Sequence, residues 1–296
     1  YLIWRIDLKF KFAIPLLFAL SLVLFSCSSK GKKPKDKLAR LHYSTGTQSL
    51  VKKDYTSALE NLIKANQLKP NDTEINNNLG MAYFFKGDFS SAQAHLLKAI
   101  EIDPKNSDAR NNLASFYFHQ NKFNLSKAQY EIVLKDLIYK HQYRTKHNLA
   151  LIHFQQRNYA VAETLLEEAL KDKLDYCAGH FLLGKIRLKQ KNYPNALKNF
   201  YEAGKGTCVK YPAPVFQQGI TLTKMQQWDK AFLKFKEIVD RFATSAYSAK
   251  AMSKMRQLDL RRNSPKIPEI SFKKSAKKKV RVISQKDLNQ FEATNF

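Results

Sequence analysis

Small, apolar and turn-forming positions recur along the chain in step. Between residues 39 and 104 the pattern repeats every 34 residues, with Gly46 and Gly80, Ala58 and Ala92, Ala65 and Ala99, and Pro70 and Pro104 in matching places. That period is the length of one helix–turn–helix unit, which cannot bury its apolar face alone and becomes stable by stacking on copies of itself. The register continues through a small residue at the middle of each first helix: Gly46, Gly80, Ala114, Ala150, Gly184 and Gly219. Twelve residues later comes the small residue of each second helix: Ala58, Ala92, Ser126, Ala162, Ala196 and Ala231. Small side chains at both heights predict that the paired helices cross closely, so a bulky residue at Ala162 would overpack the crossing. Polar turns followed by an aromatic lie between the helices, as in Gly87-Asp88-Phe89, Asn121-Lys122-Phe123, Arg157-Asn158-Tyr159 and Lys191-Asn192-Tyr193. Each has the chemistry to stop one helix and start the next. The pattern predicts an all-α solenoid of six hairpins over residues 39–243. A helix over residues 244–260 closes it, with Ala246, Ala249, Met252 and Leu258 capping the apolar edge of the sixth unit.

The stretch Asn77-Asn78-Leu79-Gly80-Met81-Ala82-Tyr83, with Ala92, Ala99 and Pro104 behind it, resembles the tetratricopeptide-repeat consensus. Later units match more loosely: Ile138 and Leu174 replace the closing proline of units three and four, and Asn76 stands where the family has a tryptophan. The resemblance implies a superhelical solenoid whose first helices line a concave groove for protein segments. In the family an asparagine two residues before the central position often meets the backbone of a bound extended peptide, which points here to Asn78, Asn112 and Asn148. Four residues after the centre stand Phe84, Phe118 and Phe154, flanked by Leu50 and Leu188. They would form an aromatic stripe that grips an apolar peptide or amphipathic helix, or else pack between repeats as core. The clamp by which some members hold a chaperone's terminal carboxylate is not reproduced, because Asn77 and Met81 occupy places where lysine and asparagine are expected.

Ahead of the array, Lys9 and Lys11 precede an uncharged, mostly apolar run from Phe12 to Phe25. At about 14 residues against the roughly 20 that a spanning helix needs, the run reads as a secretory signal, with a retained membrane anchor as the alternative. Leu24-Phe25-Ser26-Cys27 resembles a bacterial lipobox. The resemblance implies a lipoprotein signal peptide over 1–26, with Cys27 as the acylated, palmitate-bearing first residue and a lipidated tether over 27–38. Ser28, rather than an aspartate, follows the cysteine and favours the periplasmic face of the outer membrane.

Composition modifies this picture at three points. The formal net charge is +26, which invites a nucleic-acid reading, but no nucleic-acid module is recognisable and an exported protein is kept from the chromosome. Anionic lipid, peptidoglycan or acidic proteins suit the charge better, unless it is only solvated helix faces. Residues 261–296 carry ten basic against three acidic side chains and read as a disordered basic tail that could touch peptidoglycan or anionic lipid. With Cys27 assigned to lipid, Cys177 and Cys208 remain as either a disulfide or two independent thiols.

No metalloprotease, Cys-x-x-Cys, phosphate-loop or nucleophile-elbow signature occurs. His147 and His153 share a helix but stand six apart, not at a ligand spacing. No enzyme, cofactor or metal site is therefore expected. A lipobox, a tether and six repeats together resemble the PilF/PilW family of type IV pilus pilotins. The resemblance implies a non-enzymatic lipoprotein scaffold that binds the secretin and promotes its outer-membrane assembly. The alternative is an adaptor for peptidoglycan-acting enzymes or another envelope complex.

Overall fold

The computed structural model describes residues 34–263. The expected signal segment, Cys27 and residues 264–296 of the basic tail lie outside the described residues. Six hairpins follow one another: α1 (Pro34–Val51) with α2 (Tyr55–Leu68), α3 (Thr73–Lys86) with α4 (Phe89–Ile102), α5 (Ser107–His119) with α6 (Phe123–Leu134), α7 (Gln142–Gln155) with α8 (Tyr159–Asp172), α9 (Cys177–Lys189) with α10 (Tyr193–Ala203), and α11 (Pro212–Lys224) with α12 (Trp228–Arg241). A last helix, α13 (Ala246–Asn263), packs against α12. Each second helix also packs on the first helix of the next unit, so the apolar core runs as a column along the array.

The hairpins close at the small residues. A methyl group built on Gly184 would lie 2.7 Å from Phe200 Cε1, and one on Gly46 would lie 2.7 Å from Leu62 Cγ. Leu62, Leu96, Tyr130, Leu166, Phe200 and Phe235 fill this recurring place and are fully buried or nearly so. Ala58, Ala92, Ala162, Ala196 and Ala231 are all 0% exposed. Ser126 is the exception to alanine in that row, and its buried hydroxyl donates to the Ala114 carbonyl across the crossing at 2.7 Å. The extra polar group is thereby satisfied rather than stranded.

Within every hairpin the first helix ends on a left-handed residue. That residue is Gly87 in the second unit and Lys53, Asn121, Arg157, Lys191 or Gln226 in the others, with φ between 56 and 63°. The following N–H then reaches back to a carbonyl of the last turn, as from Asp88 to Tyr83 at 3.0 Å and from Asn192 to Arg187 at 2.8 Å. Asp54 and Asp88 next cap the second helix by accepting from the Ser57 and Ser91 N–H groups.

Where the tryptophan is missing, polar pairs take its place. Asn76 is fully buried and donates to the carbonyls of Pro70 (2.9 Å) and Asp72 (2.8 Å). Its oxygen lies 3.0 Å from His95 Nδ1. The same nineteen-residue link joins His42 to Asn61, Arg110 to Gln129 and His180 to Asn199. Arg110 and His180 also reach the carbonyls of Pro104 and Leu174, six residues back. Each such side chain thus fastens an inter-repeat loop to the hairpin it precedes.

Two boundaries and the phase of the last helix differ from those read in the sequence. The first helix already runs from Pro34, so residues 34–38 are helix rather than tether: proline is tolerated in a first turn, and Asp36 there pairs with Lys69 at 3.2 Å. The last helix continues to Asn263, taking residues 261–263 from the tail. Its buried face carries Ser248, Ala251 and Leu258, with Tyr247 and Met255 partly covered, while Ala246, Ala249 and Met252 are exposed. The cap therefore keeps Leu258, but its other predicted residues fall one or two positions out of phase, a rotation of 100° or more on a helix.

The Cys177 and Cys208 sulfurs lie 2.12 Å apart, with Cα atoms at 6.4 Å, as a disulfide. It ties the start of α9 to the 3₁₀ turn Gly206–Cys208 ahead of α11.

Two stability effects follow. Gly184→Val should lower the unfolding free energy by about 1–3 kcal/mol, because the branched side chain meets the buried Phe200 ring; denaturant titration measures it, and a neutral result would contradict the crossing geometry. Lys191→Gly should raise stability by about 1 kcal/mol by relieving left-handed strain, with no change in the denaturant slope.

Candidate functional site

The first helices are all placed on the inner face of the array by the hairpin topology. Side chains from α1, α3, α5 and α7, with Tyr176 and Ala178 at the start of α9, line a cavity of about 520 Å³. The groove thus crosses four repeats and stops at the fifth.

Its floor is a ladder of amides. Asn78 Nδ2 donates to Thr47 Oγ1 at 2.9 Å, Asn112 Nδ2 to Asn77 Oδ1 at 2.9 Å, and Asn148 Nδ2 to Ser115 Oγ at 3.5 Å. In each case the partner belongs to the preceding repeat, so one N–H of each amide holds its orientation across the repeat boundary. All three asparagines are half-buried at the groove wall; Asn78 Oδ1 also accepts from Asn77 Nδ2 at 3.2 Å and Asn148 Oδ1 lies 3.2 Å from His147 Nδ1, so it is the second amide N–H of each that faces a ligand. Beneath them, Thr145 Oγ1 donates to Asn111 Oδ1 at 3.1 Å, and the Ser115 and Tyr130 hydroxyls meet at 2.9 Å.

The predicted phenylalanines do not share one surface. Phe118 lines the groove together with Leu50. Phe84 instead packs among Phe85, Phe89 and Phe116, with ring centres 5.2, 6.0 and 6.1 Å away. Phe154 lies against Tyr159 at 5.6 Å and under the Lys185 ammonium. Leu188 likewise packs against the core. Phe84 and Phe154 therefore serve the packing between helices, and the continuous aromatic stripe is not formed. The next residues along, Phe85 and His119, line the groove in their own repeats.

Sequence reading missed the column one residue before the asparagines: Tyr43, Asn77, Asn111 and His147 all face the groove. The signal was present, because Asn77 and Asn111 repeat at the same register step as Asn78 and Asn112. Burial, aided by the Glu74 carboxylate, pushes the Tyr43 phenol up to about 12. Burial also raises Tyr139, which donates to Asp108 Oδ1 at 2.7 Å. Both phenols stay protonated at neutral pH and act as donors. His147 is buried, edge-on to Tyr176 at 5.3 Å, with Nδ1 3.2 Å from Asn148 Oδ1. Burial, the largest cause, holds its pKa down to about 4; the bond to Asn148 comes next and opposes it, the Lys185 charge lowers it further, and the Ala178 backbone gives the least, in favour of the cation. Its imidazole is neutral at pH 7 and belongs to the amide network rather than to a charged site.

Among the described residues no group of three His, Cys, Asp or Glu side chains is placed to hold a metal ion. Among them, too, no helix is long and apolar enough to cross a membrane. The groove offers oriented amides, hydroxyls and apolar walls, which is the chemistry of holding a peptide.

Tetratricopeptide-repeat family models match residues 73–106, 95–129 and 147–207. A comparison with curated proteins found no match. Among solved structures, PilF of Pseudomonas aeruginosa superposes with a TM-score of 0.62 at 17% identity, covering 75% of this chain and 100% of that one. PilW, described as a widely conserved type IV pilus biogenesis factor, gives 0.64 at 15% identity over 72% and 98% of the two chains. A chain of the APC/C hetero-tetramer Cut9–Hcn1 gives 0.58 at 15% identity over 84% of this chain and 46% of the other. Identities this low carry the fold, and the chain is an all-α tetratricopeptide-repeat solenoid resembling PilF and PilW.

The depressed His147 pKa sets a pH dependence. The unfolded chain, with an ordinary histidine near 6.5, binds the proton that the folded chain refuses until about pH 4. Stability attributable to this group is therefore complete above pH 6.5 and lost as the pH falls through that window, up to about 3 kcal/mol. His147→Gln should flatten the pH dependence of urea unfolding between pH 7 and 4 relative to wild type; parallel curves would refute the assignment.

Proposed function

We propose that this chain is a non-enzymatic, lipid-anchored scaffold on the periplasmic face of a bacterial outer membrane. Its groove holds an extended segment of the type IV pilus secretin and promotes secretin assembly. The observation that carries the reading is the amide row Asn78, Asn112 and Asn148, one per repeat and each oriented by a bond to the preceding repeat. Regularly presented amides replace the water that an extended backbone loses on binding, at the step of the array. Phe118, Leu50 and Met81 supply apolar contacts beside them. The lipobox resemblance at Cys27 supports the anchor, and the fold likeness to PilW supports the pilus as the system served. Anchoring then raises the local concentration of the bound secretin on the membrane, which favours oligomers over free subunits without any added contact.

Replacing Asn78, Asn112 and Asn148 together by alanine should weaken binding of a secretin segment by about tenfold or more, at roughly 0.5–1.5 kcal/mol for each lost bond. Calorimetry with the acylated protein measures this, and circular dichroism checks that the helices persist. In cells, deleting the gene should convert secretin multimers to monomers. Intact multimers would sink the secretin reading, and co-purification of peptidoglycan hydrolases or synthases instead would favour the adaptor alternative. Mass spectrometry of the native amino terminus should find diacylglycerol on Cys27.

A further inference from the structure

Helices in a hairpin array alternate in direction, so every loop between repeats emerges at one edge. In the last three of these loops that edge is apolar and basic. Leu137 and Ile138 follow α6 and are 89% and 90% exposed, Leu174 follows α8 at 80%, and Val209 precedes α11 at 50%. Ile138 and Leu174 hold the register places of Pro70 and Pro104, and packing does not explain them, because neither touches the core column. Single exposed apolar residues are ordinary, but four across three successive loops form a patch.

The patch is rigid at its base. The α6–α7 loop is folded onto the start of α5 by the bonds from Ser107 to Asp136 and from Tyr139 to Asp108. The Tyr143 and Tyr176 rings, 4.9 Å apart, join α7 to the next loop, and the Cys177–Cys208 disulfide joins that loop to the third. Around the apolar tips stand exposed Lys135, Lys140, Lys171 and Lys210. With Lys173 and Lys205 these lysines outnumber Asp136, Asp172 and Asp175, of which Asp172 pairs with Lys146 at 2.8 Å. Net positive charge with protruding aliphatic side chains is the chemistry of an anionic bilayer interface, where apolar tips enter the headgroup region and lysines meet phosphates.

The described chain begins at the same edge, since Asp36 in the first turn of α1 pairs with Lys69 in the first inter-repeat loop. Six residues lie between Cys27 and Pro34, seven peptide steps with a reach of about 25 Å at most. An acyl chain on Cys27 would therefore bring this edge, and not the groove, to the membrane.

We infer that the inter-repeat edge around Leu137, Ile138 and Leu174 is a second, reversible membrane contact that seats the solenoid on anionic lipid. The helices then stand away from the bilayer and the groove opens sideways. The patch stands on its own residues; only its alignment with the anchor rests on the lipoprotein reading.

The test is hydrogen exchange of the full chain with vesicles of phosphatidylcholine alone or with phosphatidylglycerol added. Anionic vesicles should slow exchange at 135–140 and 173–175 by about tenfold, and replacing Leu137, Ile138 and Leu174 by serine should abolish that protection even while the termini keep the protein bound. Unchanged exchange in these loops on vesicle-bound protein overturns the inference. So does equal protection in the serine variant, or protection without lipid that grows with protein concentration, which would mark a contact between copies. Loss of acylation at Cys27 would leave the loop result unaltered, so failure of the anchor and failure of the patch are distinguishable.

Discussion

The close crossing of the two helices in each hairpin is the constraint from which the rest follows. Glycine or alanine at the middle of the first helix lets Leu62, Leu96, Tyr130, Leu166, Phe200 or Phe235 sit directly against its backbone. The apolar core built on these crossings is a column that the next repeat must extend. The array is accordingly a chain of neighbour contacts, and its termini are the places where the column needs a cover. Helix α13 provides one with Ala251 and Leu258.

Stacking has a chemical consequence on the inner face. Bringing first helices side by side places polar side chains of adjacent repeats within bonding range. On the groove wall, Asn78, Asn112 and Asn148 bond backwards to the preceding repeat. At the loop edge, the pairs that replace the tryptophan bind helix to helix and, through Asn76, Arg110 and His180, helix to loop carbonyl. The second set substitutes directional bonds for aromatic bulk. The same bonds that stiffen the solenoid therefore orient the groups that would meet a ligand, which couples the stability of the array to the shape of its groove.

The two faces carry different chemistry. The groove is amide-rich, with its tyrosine hydroxyls committed as donors and its buried histidine neutral at pH 7. The edge of the last three inter-repeat loops is aliphatic and lysine-rich, and its lysines outnumber its carboxylates. A surface that selects a peptide and a surface that adheres to an anionic layer can thus be occupied together.

Much of this could be read from residues alone, and the reason is periodicity. The number and phase of the hairpins, their turns and their crossing points all repeat at the register of one unit, so each copy corroborates the others. The asparagine row was legible for the same reason. What had no repeat to corroborate it was misplaced: the phase of α13, its end at Asn263 and the start of α1 at Pro34. The groove's composition was only half legible, because sequence places Phe84, Phe118 and Phe154 in one column while in the folded array Phe118 lines the groove and Phe84 and Phe154 enter the packing. Neutral His147, the cross-repeat amide bonds and the meeting of Cys177 with Cys208 likewise depend on distances between repeats. Those distances are set by how neighbouring hairpins stack, and no single unit's residues encode them.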